Sequence, residues 1–460
     1  LTFPEICLLE SHLNLGLTTN TSPLIPMNKL IDQQVVTETI KNWEYPKEPI
    51  DFSQWPDKSA EDLPDAMRWA DAILEPPKWC DLRGEALVAF LDNWKPVESQ
   101  EDVRVPFAYK KGGKMAENQK AVSKLRTVGK AFVYKVGKHI LSGNLNLTTI
   151  PFPIRAMVPK SYLEYVGCLP TAFFPLYMNL ALKNPDPVER FKLYIVSSIC
   201  YFYMTSSFAK PLNPILGETC KGYYEDGSRF YLEQISHHPP ISYMLFHGPK
   251  DGYKFWGPSQ FAASAGLNSI TLTTKAWRKI QFSDTKQTIR NTFPDEYYDG
   301  TLLGTTTHET IGTMEFVDEE NKITCTLNFG KVKKKPTDYI EGSINVDGQP
   351  VAQITGTYLG WLEIDGKRYF DYRYTQPFQC KIEKSPLASD FQYRPDKALL
   401  ALGYYDEAQK EKENLEQIQR TDAKWRKQYK ADHPNIGQTI ADTEEQANEI
   451  SGEILNNNNE

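Results

Sequence analysis

Glu233-Gln234-Ile235-Ser236-His237-His238-Pro239-Pro240 is the stretch on which the reading of this chain turns. Consecutive side chains on a strand point to opposite faces, so the sheet would separate two adjacent histidines within it. Two prolines directly behind them end the ladder, because neither has an N–H to donate. The octet therefore predicts a strand that stops at the histidines and a turn that brings both imidazoles to one polar site. Three roles are open to the pair. As zinc ligands they lack third and fourth partners at useful spacing. An acyl-transfer base would be expected with an aspartate shortly after the second histidine, where Pro240, Ile241 and Ser242 stand. Plain strand-end histidines bonded to backbone are the structural alternative.

Around the octet, Asp-Gly pairs recur at Asp226-Gly227, Asp251-Gly252, Asp299-Gly300, Asp347-Gly348 and Asp365-Gly366. Asp-Gly favours the type I′ turn, whose twist matches that of paired strands. Flanks such as Tyr223-Tyr224 and Phe230-Tyr231 carry the aromatic content of strands. Region 220–383 thus reads as successive antiparallel hairpins, enough either to close into a barrel around a cavity or to pack as two sheets. Helices flank it. Asp186-Pro187-Val188-Glu189 has a capping Asp, Pro at the first helical position and a first-turn carboxylate, opening a helix toward about 204. Tyr404 to Lys430 is Pro-free, with Ala408, Leu415, Ile418 and Trp425 at roughly helical spacing.

The formal charge of −7 argues against a nucleic-acid partner. Seven dispersed cysteines without a Cys-x-x-Cys pair read as buried thiols and not as a disulfide frame. The longest mostly apolar run, Leu193 to Met204, is well short of the roughly 20 residues of a membrane span. Any membrane contact is expected to be peripheral. Residues 1–118 are rich in Pro, Asp and Glu but hold Trp43, Trp55, Trp69, Trp79 and Trp94, so they are expected to lie against the main domain. Residues 436–460 form a polar tail ending in four asparagines and Glu460. The chain opens on Leu1 and not on Met, which leaves room for a segment ahead of it.

Two further groups of polar residues bear on the histidines. In Lys210-Pro211-Leu212-Asn213-Pro214-Ile215-Leu216-Gly217-Glu218 the prolines impose an extended, stiff loop that presents Lys210 and Asn213 with little entropy left to lose. Its plain alternative is an ordinary connection from helix to strand. On the last helix Lys412, Glu416 and Arg420 stand four apart and share a face. Such spaced charges also suit a solvated face. Together, Lys210, His237, His238, Lys412 and Arg420 would offer several donors to one phosphate, with Glu416 orienting the cations or accepting sugar-like hydroxyls.

Between Lys120 and Lys138 the chain carries Lys120, Lys124, Arg126, Lys130, Lys135 and Lys138 without a carboxylate. Val122, Leu125, Val128, Phe132, Val136 and Ile140 recur at steps of three and four. This is a cationic amphipathic helix suited either to an anionic membrane or to packing on the domain.

Three segments in order resemble the oxysterol-binding-protein-related lipid-transfer family. Lys210–Glu218 is similar to its Lys-Pro-Leu-Asn-Pro-x-Leu-Gly-Glu loop, and Glu233–Pro240 to its Glu-Gln-Val-Ser-His-His-Pro-Pro signature, with Ile235 for Val. Asp390 through Arg420, with Tyr393-Arg394-Pro395-Asp396, resembles its late helix. The resemblance implies a β-dominated α+β fold, a large near-complete antiparallel barrel enclosing a lipid tunnel. The implied lipid-binding domain spans 119–435: a lid at about 120–150, the barrel at about 220–383 and a C-terminal helix at about 400–430. Residues 1–118 would be an N-terminal extension. It implies that Lys210, Asn213, His237, His238, Lys412, Glu416 and Arg420 bind the headgroup of phosphatidylinositol 4-phosphate. The lid, with Val122, Leu125, Phe132 and Val136 and with Lys124, Lys130 and Lys135, would cover lipid in one state and touch anionic membrane in another. The expected activity is non-enzymatic exchange of sterol or phosphatidylserine against phosphatidylinositol 4-phosphate. It would need no cofactor or metal and would be carried out by a cytoplasmic monomer at membrane surfaces such as endoplasmic reticulum contact sites. The alternatives are a lipid sensor or scaffold and, in another class, a lipid-modifying enzyme using His237 and His238.

Overall fold

The computed structural model of the chain describes residues 78–118, 122–123, 125–127, 130, 152–206, 208, 210–384 and 386–432. Trp43, Trp55, Trp69, Cys7 and the 436–460 tail lie outside them. Helix α1 spans Gly84–Asn93, and strands β1 (Val97–Glu98) and β2 (Lys114–Met115) come after it. Next are α2 (Tyr162–Cys168), α3 (Phe174–Leu182) and α4 (Pro187–Thr205). The hairpin region runs β3 (Thr219–Tyr223), β4 (Arg229–Ser236), β5 (Ile241–His247), β6 (Tyr253–Ala265) and β7 (Ser269–Phe282). It continues with β8 (Thr288–Thr292), β9 (Asp295–Asp299), β10 (Thr307–Asp318), β11 (Ile323–Phe329) and β12 (Tyr339–Val346). It closes with β13 (Gln349–Thr357), β14 (Trp361–Ile364), β15 (Lys367–Asp371) and β16 (Lys381–Ile382), before α5 (Pro395–Ala401) and α6 (Tyr405–Asp432).

All 16 strands belong to one sheet: fourteen follow the order β1-β15-β14-β13-β12-β11-β10-β8-β7-β6-β5-β4-β3-β16, while β2 pairs with β10 and β9 with β7 and β10 off that path. The expected β-dominated α+β architecture with a large antiparallel sheet is the one that forms. Its two ends are the two-residue strands β1 and β16, so the ladder stops in short edges that offer little template for further pairing. Pro294 divides what would be one long strand into β8 and β9, both of which pair with β7 and β10. Residues ahead of 118 join this sheet: β1 pairs with β15, β2 with β10, and Trp79 and Trp94 pack on the core.

Helix α4 forms as its sequence dictates. Asp186 caps it by accepting from the Val188 N–H at 2.9 Å, and Pro187 occupies the first turn. A helix apolar on nearly every side must be enclosed, and the sheet encloses this one. Tyr194 meets Phe255 of β6, Phe191 meets Phe316 of β10, Phe202 meets Phe329 of β11 and Tyr203 meets Phe370 of β15. Fully buried Arg190 anchors the helix start, donating to both Asp284 oxygens and to the carbonyls of Ala181 and Asn184. The six described cysteines are free.

The Asp-Gly turns do not all behave alike. Asp347-Gly348 (φ 48° and 78°) and Asp365-Gly366 (φ 50° and 72°) have positive φ at both central residues, as type I′ requires. Asp251-Gly252 does not: the positive pair sits one residue earlier, at Lys250 and Asp251, and Gly252 has φ −63°. There the connection from His247 to Tyr253 is longer than a two-residue loop, and Asp251 accepts from Arg229 at 2.8 Å and lies 3.1 Å from the His247 ring nitrogen. At Asp226-Gly227 and Asp299-Gly300 only the glycine is left-handed, in wider turns.

Two glycines separate conformational from steric demand. Nothing lies within 4 Å of a Cβ placed on Gly348, so Gly348→Ala meets only the left-handed backbone penalty, about 1 kcal/mol. A Cβ on Gly222 would stand 2.4 Å from the Phe230 ring and 2.8 Å from the Lys381 carbonyl. Gly222→Ala is therefore expected to lower the urea unfolding midpoint more than Gly348→Ala; the reverse order would contradict this packing.

Candidate functional site

Strand β4 ends at Ser236 and β5 begins at Ile241, so His237-His238-Pro239-Pro240 is the turn between them. The ladder slips just before it: Gln234 faces Ser242 while Ser236 faces Ile241, leaving Ile235 unpaired and exposed. Such a bulge bends a strand and re-aims the residues after it. Buried Gln234 braces the turn, donating to the Ser236 carbonyl at 2.6 Å and accepting from the Ser242 hydroxyl at 2.5 Å. The two imidazoles stand 4.6 Å apart with planes tilted by 58°, His238 exposed and His237 half-buried. The turn does bring both rings together, as the prolines predict.

The Lys210–Glu218 loop is held along its length. Leu212 donates to the Lys160 carbonyl at 2.8 Å and accepts from Tyr162 N–H at 3.0 Å. Its side chain is buried with Ile154, Met157, Leu399, Leu400 and Ala408. This anchoring leaves Lys210 Nζ donating to Asn213 Oδ1 at 3.0 Å, 5.5 Å from the Phe152 ring centre. At the loop's far end, Gly217 N–H donates to the Gln234 carbonyl and Gln234 N–H to the Glu218 carbonyl, at 2.8 and 3.0 Å. Lys210 and Asn213 thus belong to a segment bonded main chain to main chain with the base of the histidine turn.

Residues to which sequence patterns assign no role hold this arrangement. Buried Arg394 donates to Glu218 Oε2 at 2.9 Å and to the Asn213 carbonyl at 2.7 Å. It also forks onto both oxygens of fully buried Asp396, at 3.0 and 2.7 Å. Glu218 accepts in addition from the Ser161 hydroxyl and from Ile215 N–H. Burial pushes the Glu218 carboxyl above its ordinary range against the pull of Arg394, as expected where one cation faces two carboxylates. The signal in the sequence was an Arg beside Pro395-Asp396, but its partner Glu218 is 176 residues away, beyond any local pattern. Arg394→Met would strand both carboxylates and is expected to cost about 3–5 kcal/mol, whereas Glu218→Gln keeps the acceptor oxygen and should cost less. Equal unfolding midpoints for Arg394→Met and the parent chain would contradict this role.

Lys412, Glu416 and Arg420 lie on α6, in a second compact unit that begins at Gln409. Within that helix Lys412 pairs with Glu416, and Arg420 approaches the other Glu416 oxygen at 3.8 Å. Of the expected lid residues, Val122 is buried with Ala116, Leu125 packs against them, and Lys130 is exposed. Lys124, Phe132, Lys135 and Val136 lie outside the described residues. Inside the sheet, a cavity of about 10 Å³ is lined by Tyr201, Phe202, Ser259, Phe261, Arg278 and Glu296, among others. Buried Arg278 donates there to the Pro258 and Trp277 carbonyls and to the Ser259 hydroxyl. Among the described residues there is no cluster of His, Cys, Asp and Glu fit for a metal, and no helix long and apolar enough to cross a membrane.

Residues 138–378 match the family profile described as oxysterol-binding protein. Oxysterol-binding protein 9 of Dictyostelium discoideum is 33% identical over 338 residues, covering 66% of this chain and 76% of that protein. Oxysterol-binding protein-related protein 3 of Mus musculus is 27% identical over 61% of this chain, which spans only 36% of that longer protein. Among solved structures, the Osh3 ORD from Saccharomyces cerevisiae in complex with PI(4)P superposes with a TM-score of 0.53 at 19% identity. That match covers 71% of this chain and 89% of the Osh3 domain. The Osh1 ORD domain in complex with cholesterol gives 0.53 at 18% identity, covering 79% of this chain and 89% of that one. With the profile spanning residues 138–378 and the Dictyostelium relative matched over most of its length, this chain belongs to the oxysterol-binding protein family.

Proposed function

We propose that this protein is a non-enzymatic lipid carrier that binds phosphatidylinositol 4-phosphate and exchanges it for a sterol or phosphatidylserine. The observation that carries the proposal is the main-chain bonding of the Lys210–Glu218 loop, through Gly217 and Glu218, to Gln234 at the base of the His237–His238 turn. Both segments present hydrogen-bond donors for a phosphate on fixed main chain, so little entropy is lost when an anion arrives. Lys412, Glu416 and Arg420 are proposed to bind the same headgroup, the cations contacting phosphate and Glu416 orienting them or accepting inositol hydroxyls. The solved relatives carry PI(4)P in one case and cholesterol or ergosterol in others, which supports the two ligand classes. A lipid chain in water costs about 0.8 kcal/mol per exposed CH₂, so enclosure by an apolar barrel is a sufficient transport device without chemistry. We propose further that the basic segment from 120 acts as the lid. The carrier would work as a monomer, peripherally, on cytoplasmic membrane faces such as endoplasmic reticulum contact sites.

Replacing His237 and His238 together with Ala should lower phosphatidylinositol 4-phosphate extraction from liposomes at least tenfold and leave the melting temperature nearly unchanged, since neither ring is buried. Undiminished extraction would contradict the proposal. Reversing Lys210 or Arg420 to Glu should weaken uptake of the phosphoinositide roughly thirtyfold or more, as attraction becomes repulsion. Sterol uptake should change far less, because a sterol presents no phosphate. Equal loss of both ligands would remove these residues from the site.

A further inference from the structure

The β6–β7 hairpin reaches past the candidate site. Strand β5 starts directly after the histidine turn, and its first residue, Ile241, pairs with Gln260 of β6. Beyond that point Phe261–Ala265 continue β6, paired with β7 from Thr274 to Ile270. These five residues, at about 3.3 Å each, carry the hairpin roughly 17 Å past the Ile241–Gln260 pair, at the end of the sheet where the histidine turn lies.

What the overhang presents is unusual for a solvated edge. From Phe255 to Thr274 no residue carries a charge, in a chain that is 24% charged. At the tip Leu267 is 98% exposed. Beside it runs the loop from β9 to β10, also uncharged from Gly300 to Thr307, with Leu303 71% exposed. Asn268 locks the two tips together: its Oδ1 accepts from the N–H groups of Leu302 and Leu303, and its Nδ2 donates to the Leu303 carbonyl, all within 3.0 Å. Both leucines are therefore presented by a braced structure. From the other side Arg126 donates to the carbonyls of Gly300 and Gly304, at 2.7 and 2.5 Å. Among the described residues no carboxylate pairs with Arg126, and Lys130 is exposed on the same basic segment.

Two leucines offer far less than the roughly 800 Å² per partner of a stable protein interface. A bilayer asks for less: a few apolar side chains that enter the headgroup boundary, with cations beside them. We propose that Leu267 and Leu303 form a membrane-inserting prong, aided by Arg126 and Lys130, that docks the histidine-turn end of the sheet on an anionic bilayer. The purpose assigned to that docking rests on the carrier reading, though the contact itself does not.

The test is co-sedimentation of the full chain with vesicles of phosphatidylcholine alone and of phosphatidylcholine with phosphatidylserine. Wild type should bind the mixed vesicles more tightly, and the Leu267→Asp/Leu303→Asp double variant should lose about tenfold or more of that affinity, as expected for losing at least one buried leucine. The Leu267→Trp variant should keep binding and show more fluorescence quenching by brominated lipid than wild type. Unchanged binding by the double variant, or no added quenching, would overturn the prong. A shift of the double variant from dimer to monomer in analytical ultracentrifugation, with vesicle binding intact, would also overturn it, because the tip would then join two copies of the chain. Binding of short-chain phosphatidylinositol 4-phosphate in solution tests the carrier reading separately. The double variant should match wild type there, and failure of wild type itself would defeat that reading while vesicle binding still decides the prong.

Discussion

One buried guanidinium decides where the polar groups of this domain stand. Arg394 is shared by the Asn213 carbonyl, Glu218 and Asp396, so the loop, the start of β3 and the approach to α5 meet at a single cation. Taking these charges out of water is expensive, and the attraction between them does little more than offset that cost. The arrangement fixes position: any displacement of the loop would leave a carboxylate unpaired in a desolvated site. Glu218 passes the constraint on through its carbonyl, which accepts from Gln234 N–H, and Gln234 holds the histidine turn. Four donors on two segments are therefore registered by one ion group and one amide.

The sheet supplies the frame for this registration. Helix α4 packs its aromatic side chains against the sheet, and the small cavity beside Arg278, about 10 Å³, has room for about one water. Arg278 satisfies carbonyls released where Pro258 and the local irregularity interrupt the ladder, which gives this buried cation a structural role. Arg278 and Arg394 spend their donors on the protein, whereas His238 and Arg420, proposed to meet the headgroup, remain exposed.

What could be read from the sequence was what depends on neighbouring residues. Pro239 and Pro240 lack N–H groups, so β4 had to stop, and it stops at Ser236. Asp186-Pro187 capped a helix, and Asp347-Gly348 and Asp365-Gly366 made type I′ turns. Asp251-Gly252 departs from the same rule because it lies in a longer connection between β5 and β6, where the positive φ falls one residue earlier. The bulge at Ile235 was not legible, since it arises from register against β5. Nor was Arg394, whose partners come from segments remote in the chain. The overhanging hairpin shows the same limit: its lack of charge is written in the sequence, but its reach beyond the histidine turn is set only by the pairing of Ile241 with Gln260.

For a carrier, the donors that recognise a headgroup must meet a membrane without the apolar interior meeting water. In the carrier proposed here, the fixed polar turn and loop would meet the headgroup while the uncharged hairpin beside them meets the membrane. The central claim is that one polar mouth serves one enclosed lipid at a time and leaves it chemically unchanged. Native mass spectrometry of the purified chain, incubated with phosphatidylinositol 4-phosphate and then with sterol or phosphatidylserine, tests it most directly. The account predicts one intact lipid per chain, the second displacing the first with neither mass altered. Both lipids bound at once, or a lipid of changed mass, would contradict it.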